Sequence, residues 1–558
     1  MSAIQATPLS RPFRIAIRDQ VMASQPSQTG HQSGLLTIAL EVLLQITSYL
    51  TTPEYGNMRL VCRHLDAFLL KSFAHEFFTK KAFMLTEFSL QALVDISTSC
   101  FAPSLKYLII NVERPSPPSS HNHHNNAADI TPDIVRDITR EYYCSHKGLV
   151  SSGQDVELIT EALRNLPNLE TFGLRDFPSS GRYRDGGDEF WHPYGASTFQ
   201  QQTGLQLSRP RYPAFSGHRY SEDEEYISHL FLTSLRALKN AKMTNCPTRF
   251  EVILRHNNLP DLAFSIPRCV EPDILPVLQD LKVLFLDLGR STFPPRVVKK
   301  GATTEDFPGL LLAVFLSKLQ SLIHLRLNFR DCSHNATTPF FKWLAQSSLD
   351  TSQDSTPPTS SQGASVGNEL QSRVPQLPQA PSLPLLEELN IGMVTVSPVS
   401  LLNILGRYRS SLRRICLHKV ILQHSASASQ AANGGNLWAS FLRQTARPGT
   451  KLTAIELSEL KQHHNHDAIR VEFRDPSNMK LRTGVYRKRW VGSDWERNSK
   501  DLIASIFINL PSSGDGATTT TNGSIGHGTS YVILNHFFTL QVIKRTIVAN
   551  IRMTSRFR

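Results

Sequence analysis

A recurring pattern of three large apolar residues marks the chain, with the second residue three positions after the first and the third two positions later. The last two residues are two apart, so they point to one face of a short strand. The first would pack where the chain bends into that strand. Its copies are Leu105/Leu108/Ile110, Leu169/Phe172/Leu174, Leu281/Leu284/Leu286, Leu322/Leu325/Leu327, Leu386/Leu389/Ile391, Leu412/Ile415/Leu417 and Leu452/Ile455/Leu457, with a weaker one, which also fits a helix, at Leu232/Leu235/Leu238.

Helical segments precede several of these strands, at 308–319 before Leu322 and at 399–409 before Leu412. A strand and a helix repeated along a chain cannot bury a core alone, so neighbouring copies must stack. We therefore predict an α/β fold in which residues 100–460 form a degenerate leucine-rich-repeat solenoid. Its copies, the weaker one included, lie 26 to 64 residues apart, whereas roughly 20 to 29 is usual. An ordinary α/β domain with leucine-rich strands is the alternative.

Stretches rich in Ser, Thr, Pro, Gly and Asn interrupt the apolar pattern. Such segments bury too little apolar surface to offset the entropy of an ordered chain. We predict a disordered segment at 1–33. We also predict long insertions in the repeat region, at 114–130, 178–220, 347–382 and 424–436.

A different period, typical of helices, occupies residues 36–83. Its first helix is marked by an apolar face, and Thr52, Pro53 and Glu54 fit the cap and first turn of a second helix. The second helix would carry Met58, Val61, Cys62, Leu65 and Leu69, and a third Phe73, Phe77 and Phe78. Such a small core is more easily stabilised when a partner covers its apolar faces. The residues of the first face are Leu40, Leu43, Leu44, Thr47 and Leu50.

This stretch resembles an F-box, in particular the F-box proteins of fungi that carry a leucine-repeat region behind the module. The family opens with Leu-Pro, then Glu-Ile-Leu, Ile and Tyr/His-Leu, and continues with Leu-Arg-Leu-Val-Cys-Lys. The matching positions are Ile38-Ala39, Glu41-Val42-Leu43, Ile46, Tyr49-Leu50 and Met58-Arg59-Leu60-Val61-Cys62-Arg63. Ala39 replaces the proline of the family pattern.

The resemblance implies a binding protein that is not an enzyme and needs no cofactor. F-box modules insert into the Skp-family adaptor of an SCF-type cullin-RING ubiquitin ligase, and the repeats behind them hold the protein to be ubiquitinated. The chain would then be the substrate-recognition subunit of such a ligase. The residues implied to contact the adaptor are Ile38, Ala39, Val42, Leu43, Ile46, Leu50, Leu60 and Val61.

A protein client would be held by residues that flank the buried pair of each repeat strand. These mixed-charge positions would line one face of the solenoid. The predicted client-binding residues are Arg175, His324, Arg326, Glu388, Arg414 and Glu456, with Asn328, Asn390 and His418 on the same face.

The net charge is +12 and it is uneven, because residues 480–558 hold twelve Lys or Arg against four Asp or Glu. A basic end of this kind can contact nucleic acid or an acidic partner. Residues 486–490, YRKRW, mix cations with aromatics, as proteins that grip single strands do. The alternative function is therefore a ligase-independent scaffold or a nucleic-acid-associated protein that uses residues 461–558, whose fold the pattern does not predict. We expect a protein client rather than nucleic acid.

The five letters GGDEF at 186–190 name the diguanylate cyclases. In those enzymes the motif is a hairpin between two apolar strands. Here its flanks are RYRD and WHPYG, with prolines at 178 and 193, so the segment is predicted to be a loop. Trp191 and Tyr194 would pack back on the repeats.

Other catalytic and metal motifs are incomplete. His75-Glu76 begin an HExxH, but Thr79 stands where the second histidine belongs. The histidine-rich runs at 121–126 and 463–466 lie in polar sequence without defined further ligands. Seven scattered cysteines without a CxxC pair indicate a reducing compartment rather than a disulfide framework. We expect neither a catalytic nor a metal site.

No apolar run approaches the roughly 20 residues that a bilayer requires. The longest, 309–316, has eight. We expect no membrane association, and a cytoplasmic or nuclear protein.

Overall fold

The computed structural model describes residues 38–115, 117, 133–181, 183–186, 190–203, 207, 222–294, 307–346, 377–423, 435–446, 450–464, 467–474, 485–493 and 495–508. The chain divides into two compact units, one ending at Lys71 and the other beginning at Ser72. The predicted segment 1–33 and most of the insertions 114–130, 347–382 and 424–436 lie outside the described residues.

The described residues contain fourteen α-helices. In chain order they are α1 Leu40–Ser48, α2 Thr52–Leu60, α3 Arg63–Phe78, α4 Glu87–Ser97, α5 Asp133–Ser152, α6 Gln154–Arg164, α7 Ala196–Thr203, α8 Glu222–Ala241, α9 Glu271–Asp280, α10 Leu310–Ser317, α11 His334–Ala345, α12 Pro398–Arg407, α13 Leu437–Thr445 and α14 Trp495–Ala504.

They also contain fifteen strands. In chain order these are β1 Lys80–Met84, β2 Tyr107–Asn111, β3 Thr171–Arg175, β4 Arg249–Ile253, β5 Val283–Gly289, β6 His324–Arg330, β7 Glu388–Gly392, β8 Thr395–Val396, β9 Arg414–His418, β10 Ile421–Leu422, β11 Ala454–Ser458, β12 Lys461–His464, β13 Asp467–Phe473, β14 Arg487–Val491 and β15 Ile506–Ile508.

The first unit is built from α1, α2 and the beginning of α3. Helix α2 starts with a capping box, in which Thr51 Oγ1 accepts from the Glu54 backbone N–H and the Glu54 carboxylate accepts from the Thr51 N–H. The cap is therefore Thr51, not Thr52 as the sequence suggested, because both residues can cap and only Thr51 stands three before a glutamate. The same backbone hydrogen bond holds the pKa of Glu54 below its ordinary value.

The boundary between the second and third helices also differs from the prediction. Helix α2 ends at Leu60, and Val61 and Cys62 form the break before α3. Leu65, Leu69, Phe73 and Phe77 therefore all belong to α3. An ion pair of 2.5 Å between Arg59 and Asp66 joins α2 to α3.

The second unit is an α/β structure around a ten-stranded sheet. The strand order is β1-β2-β3-β4-β5-β6-β7-β9-β11-β14, which follows the order in the chain. Each strand is parallel to the next, except that β14 is antiparallel to β11. Parallel neighbours in chain order require a crossover between each pair, and helices supply most of these crossovers.

The core lies on one face of this sheet. The second and fourth residues of strands β2 to β11 in the ten-stranded sheet are all buried, and they share a single hydrophobic cluster with the connecting helices. Those helices contact one another in chain order, as α4 with α6, α6 with α8, α11 with α12 and α12 with α13. All residues of the seven predicted apolar triplets are buried. The first residue of each triplet lies just before its strand, and the other two are the second and fourth residues of that strand. The weaker copy at 232–238 is part of helix α8.

A sharp corner ends each of four strands. The residue after β6, β7, β9 and β11 has a positive φ, between 50° and 57°, although none is glycine: Asp331, Met393, Lys419 and Glu459. After the last three corners the chain enters β8, β10 and β12, which belong to a second sheet with the order β15-β13-β12-β10-β8. The same strand, corner and short strand thus recur three times.

The ordered region is wider than the predicted 100–460. Residues 80–83, assigned from sequence to the helical module at 36–83, belong to the first sheet strand, Lys80–Met84. Residues beyond 460 contribute β12 to β15 and helix α14. Strands β1 and β4 were missed, because Lys80–Met84 and Arg249–Ile253 contain no leucine to mark the pattern.

The insertion at 178–220 covers the outer edge of β1. The Tyr194 N–H donates to the Ala82 carbonyl at 2.7 Å, and the Tyr194 ring lies 5.7 Å from that of Phe88. Trp191 exchanges two backbone hydrogen bonds with Ser179. The Lys81 ammonium of β1 lies 5.9 Å from the centre of the Trp191 ring. Trp191 and Tyr194 thus pack on the sheet unit as predicted, and the insertion protects an edge that could otherwise pair with another chain. Residues 187–189 of the GGDEF stretch lie outside the described part.

Candidate functional site

One side of helix α1 presents apolar side chains to solvent. Val42, Ile46 and Tyr49 follow the i, i+4, i+7 spacing of one helix face, and they are 49%, 38% and 80% exposed. Leu43 and Thr47, one position further round the helix, are buried. The polar residues expected on an outward face are therefore replaced by large apolar ones.

The end of helix α2 is equally apolar and still more exposed. Leu60 and Val61 are 83% and 69% exposed. Leucine and valine are more often buried than exposed in folded proteins, and several exposed apolar side chains in one small unit are typical of a binding site. We call Val42, Ile46, Tyr49, Leu60 and Val61 the apolar surface of the first unit.

The residues predicted to contact the adaptor differ in how exposed they are. Ala39, Val42, Ile46, Leu60 and Val61 are exposed, and Ile38 and Leu50 are partly buried. Leu43 is 1% exposed, so it lies in the core of the unit, and its side chain is not accessible on the surface. The apolar run in the sequence did not separate the two, because Leu43 lies only about 100° round the helix from Val42.

The polar face is the side of the ten-stranded sheet opposite the core. It is formed by the first, third and fifth residues of each strand, which the ladder aligns in rows. All the predicted client-binding residues lie on this face. The structure therefore brings them onto one surface, although it treats them differently.

At the β2–β4 end the polar face is filled by its own side chains. The Tyr107 hydroxyl donates to Glu251, and Arg175 Nη2 donates to the Tyr107 oxygen at 2.6 Å. Tyr107 reaches from β2 to β4 by passing over Gly173 on β3. A Cβ at Gly173 would lie 2.9 Å from the Tyr107 ring, so glycine is required there for packing.

Arg175 consequently differs from the prediction. Its side chain is only 4% exposed, and it lies 3.8 Å from Glu251. A guanidinium buried between a carboxylate and a phenol is not accessible to a client, and removal of either partner would leave a buried charge without compensation. The sequence placed it on the correct face but could not show that Tyr107 covers it.

The charged side chains around Tyr107 shift one another's pKa values. Burial alone would raise the pKa of Glu251, but Arg249, Arg175 and the hydrogen bond from Tyr107 outweigh it and hold that pKa below its ordinary value. Burial and the neighbouring Arg175 lower the pKa of Lys80 to about 7. The Lys80 ammonium lies 4.8 Å from the centre of the Tyr107 ring.

The middle of the polar face is centred on Asp287. Its carboxylate accepts from Asn328 Nδ2 at 2.8 Å and from the Leu254 N–H at 2.9 Å, and Arg326 approaches to 3.5 Å. Burial raises the pKa of Asp287. Asn328 in turn lies over Gly392, where a Cβ would be 2.3 Å from its Oδ1.

His324, on strand β6, is held in its neutral form. Burial and the nearby Arg249 and Arg326 lower its pKa to about 3. Its Nε2 therefore accepts from Asn390 Nδ2 at 2.8 Å. The 3.4 Å approach of Nε2 to Glu388 is thus not an ion pair at neutral pH.

Towards β14 the polar face becomes more open. Arg414 is 61% exposed and lies 3.7 Å from Glu388. Glu456 pairs with Arg487 on the antiparallel edge strand. All the predicted client residues except Arg175 are therefore at least partly accessible, namely His324, Arg326, Glu388, Arg414 and Glu456.

Side chains of the types that act in catalysis are held in other roles. Burial and Glu456 raise the pKa of the Cys416 thiol to about 12, so it stays protonated. His229 meets both Asp155, at 2.6 Å, and Thr233, at 3.2 Å, through the same Nε2 atom. A histidine relay uses both ring nitrogens, so this trio does not have that geometry. Glu76 of the partial HExxH binds Arg184.

Within the described ranges no group of three metal-binding side chains converges. In the same ranges no helix is long and apolar enough to cross a membrane.

Sequence reasoning missed Tyr107, Glu251 and Asp287, the residues that organise the polar face. The signal for Tyr107 was available, since it stands one position before the buried Leu108 and therefore on the opposite face. Glu251 lay on a strand that was not recognised.

No protein-family model matches the chain, and no curated protein sequence does either.

Proposed function

We propose that the chain is the substrate-recognition subunit of an SCF-type cullin-RING ubiquitin ligase. In this proposal the first unit is an F-box that docks a Skp-family adaptor, and the second unit is a leucine-rich-repeat solenoid that binds a protein client. The observation that carries the proposal is the apolar surface of the first unit.

The docking role is supported by where the exposed residues fall. Val42, Ile46, Leu60 and Val61 are exposed, and they are four of the positions at which the resemblance implies contacts with the adaptor. A partner that covers large apolar side chains gains roughly 25 cal/mol for each Å² removed from water. The capping box at Thr51 fixes the start of α2 and so the position of Leu60 and Val61 at its end.

The repeat interpretation is supported by the strand order and by the corners. Strands that pair in chain order, with helices on one face, are what stacked repeats produce. Three copies of strand, left-handed residue and short strand repeat at Met393, Lys419 and Glu459. The polar face then offers a client a surface with both charge signs.

Co-purification of the full chain with a Skp-family adaptor tests the docking role. We expect the parent to capture the adaptor and a Val42→Asp/Leu60→Asp double variant to lose it. A charge placed in an apolar interface costs several kcal/mol, on the order of 100-fold or more in affinity. Both residues are exposed, so the variant should still fold.

Val399→Asp is the matched control, because Val399 is 63% exposed but belongs to the second unit. It should capture adaptor as the parent does. Equal capture by the double variant would contradict the docking role.

The basic strand β14 favours one alternative, a scaffold that binds nucleic acid. Lys488 and Arg489 of this strand are exposed. Binding to nucleic acid falls steeply between about 50 and 200 mM salt, whereas apolar docking of the adaptor should barely change. The scaffold would be favoured if the chain bound an oligonucleotide at the low end of this salt range, released it at the high end and did not capture the adaptor.

A further inference from the structure

The polar face carries an arginine stripe at its β14 end. We use this name for Arg326, Arg414, Arg487 and Arg489, on strands β6, β9 and β14. Arg414 and Arg489 are exposed, and Arg326 and Arg487 are partly exposed. The ladder places Arg326 and Arg489 in one row across the sheet, through Asn390, Cys416 and Glu456. Arg414 stands opposite Ala454, two residues along the strand from that row.

The acidic groups of the same region are recessed. Glu456 is 15% exposed beside Arg487 at 33%, and Glu388 is 28% exposed beside Arg414 at 61%. A partner approaching this face therefore meets guanidinium groups before it meets carboxylates. Four arginines stand against Glu388, Glu456 and Asp287, the last of which lies 3.5 Å from Arg326, so the region keeps a positive balance of one charge.

The histidines of this region add no charge at neutral pH. Burial lowers the pKa of His418 to about 3, helped by Lys419, and His324 is lowered to a similar value. His418 Nδ1 lies 2.9 Å from Ser458 Oγ. The positive balance comes from arginine alone and persists across the physiological pH range.

Exposed apolar side chains border the stripe. Val485, Tyr486 and Val491 at and beside β14 are 59%, 38% and 63% exposed. The guanidinium of Arg470 lies 4.2 Å from the centre of the Tyr486 ring. Arginine together with tyrosine is the composition of protein-binding hot spots, and apolar neighbours exclude water from the ion pairs.

We propose that the arginine stripe binds an acidic, extended segment of a protein partner through aspartate or glutamate carboxylates. This proposal rests on the proposed function and names the kind of client that its polar face would select. Guanidinium groups match carboxylates with paired hydrogen bonds. The strongest anchors are Arg414 and Arg489, which are the most exposed.

The strand spacing sets the sequence of that segment. Arg414 and Arg489 lie two strands apart and two residues apart along the strand direction, which is about 12 Å at roughly 4.8 Å per strand and 3.3 Å per residue. An extended chain covers that distance in about three to four residues. A segment crossing the strands would therefore present acidic residues three or four positions apart, and Arg326, two strands beyond Arg414, extends the series.

Nucleic acid fits the stripe less well. Glu388 and Glu456 stand on the strands between the arginines and would repel a continuous phosphate backbone. Contacts to phosphates supply essentially all of the affinity in non-specific binding of nucleic acid. An acidic peptide can place its carboxylates on the arginines and leave neutral residues over the glutamates.

The test is the binding of fluorescent peptides to the full chain, measured by anisotropy at low salt. The probe has Glu at positions i, i+3 and i+6 in a Gly/Ser background, and its reference has Gln at those positions. We expect the Glu peptide to bind at least about tenfold more tightly. The Arg414→Glu/Arg489→Glu double variant should lose that advantage and should instead prefer a Lys peptide of the same spacing.

Arg268→Glu/Arg409→Glu is the matched control, because both residues are exposed and lie off the polar face. It changes the net charge equally and should bind the Glu peptide as the parent does. Equal loss in the control, equal binding of Glu and Gln peptides, or an oligonucleotide that binds more tightly than the Glu peptide through Arg414 and Arg489 would overturn the proposal.

Adaptor capture by the same variants separates this proposal from the proposed function. The arginine variants should capture adaptor normally, since their changes lie in the second unit. If the Glu peptide does not bind but the adaptor is captured, the proposal of an acidic client is wrong and the receptor role stands. If capture fails in the parent while peptides bind, the receptor role is wrong.

Discussion

At the scale of single residues, close packing on the polar face makes identity matter at positions that look unremarkable in the sequence. Gly173 and Gly392 are glycine because Tyr107 and Asn328 occupy the space above them. These contacts join residues more than 60 positions apart in sequence, so the pattern of apolar residues does not contain them. The alternation that places Arg175 on this face is local, and it was predicted.

We expect Gly173→Ala to destabilise the second unit by about 1–3 kcal/mol, the usual range for overpacking. The new Cβ would push the Tyr107 ring away from Glu251. Urea unfolding should show a lower midpoint with an unchanged slope.

Gly148→Ala is the control for that substitution, since Gly148 is an exposed position of helix α5 where an added Cβ would meet no atom within 4 Å. Replacing glycine there should be neutral or stabilise by up to about 1 kcal/mol. An unfolding midpoint for Gly173→Ala equal to or above that of the parent would contradict the packing argument.

Buried histidines should make the second unit less stable in mild acid. Burial, with Arg114 as a neighbouring cation, lowers the pKa of His146 to about 4, and His324 and His418 are lowered to about 3. In the unfolded chain these groups bind protons near pH 6.5, whereas in the folded chain they do not. Their contribution to stability is therefore present above about pH 6.5 and is lost as the pH falls towards 3.

The free energy of unfolding, measured by urea titration, should decrease as the pH is lowered from about 7.5 to 5. In the His324→Gln variant the slope of this free energy against pH should be smaller. Asp261 contributes oppositely, because burial raises its pKa to about 6, so the comparison with the variant isolates the histidine. A slope unchanged in His324→Gln would show that His324 binds a proton as readily in the folded chain.

At the scale of elements, the sequence predicted those parts of the fold that depend on short-range periodicity. The seven apolar triplets became strands or strand entries, and the segments before Leu322 and Leu412 became helices α10 and α12. Strands β1 and β4 were missed because their inward residues include phenylalanine and valine without the marking leucines. The corners were also missed, since Asp331, Met393, Lys419 and Glu459 share no residue type that signals a positive φ.

The corners should tolerate glycine and reject β-branched residues. A non-glycine residue in the left-handed region costs roughly 1–2 kcal/mol, and glycine removes that strain at the expense of chain entropy. We expect Lys419→Gly to be neutral or to stabilise slightly in thermal unfolding, and Lys419→Val to lower the midpoint. A Lys419→Val variant as stable as Lys419→Gly would argue against a strained corner.

At the scale of the whole molecule, the two units present different kinds of surface. The first exposes apolar side chains in a small helical unit, and the second exposes a charged face on a large sheet. Their separate chemistry is what a protein needs in order to hold two partners at once. The resemblance at 38–63 suggested the first partner, and the alternation along the strands suggested the surface for the second, whereas the burial of Leu43 and Arg175 depended on contacts that the sequence does not reveal.

Hydrogen–deuterium exchange of the full chain, alone and with a Skp-family adaptor, tests the central claim most directly. If the first unit docks the adaptor, we expect the adaptor to slow exchange in peptides covering 40–61 and to leave exchange in the strands of the polar face unchanged. Protection confined to the sheet unit, or no protection at 40–61 under conditions that saturate the complex, would contradict it.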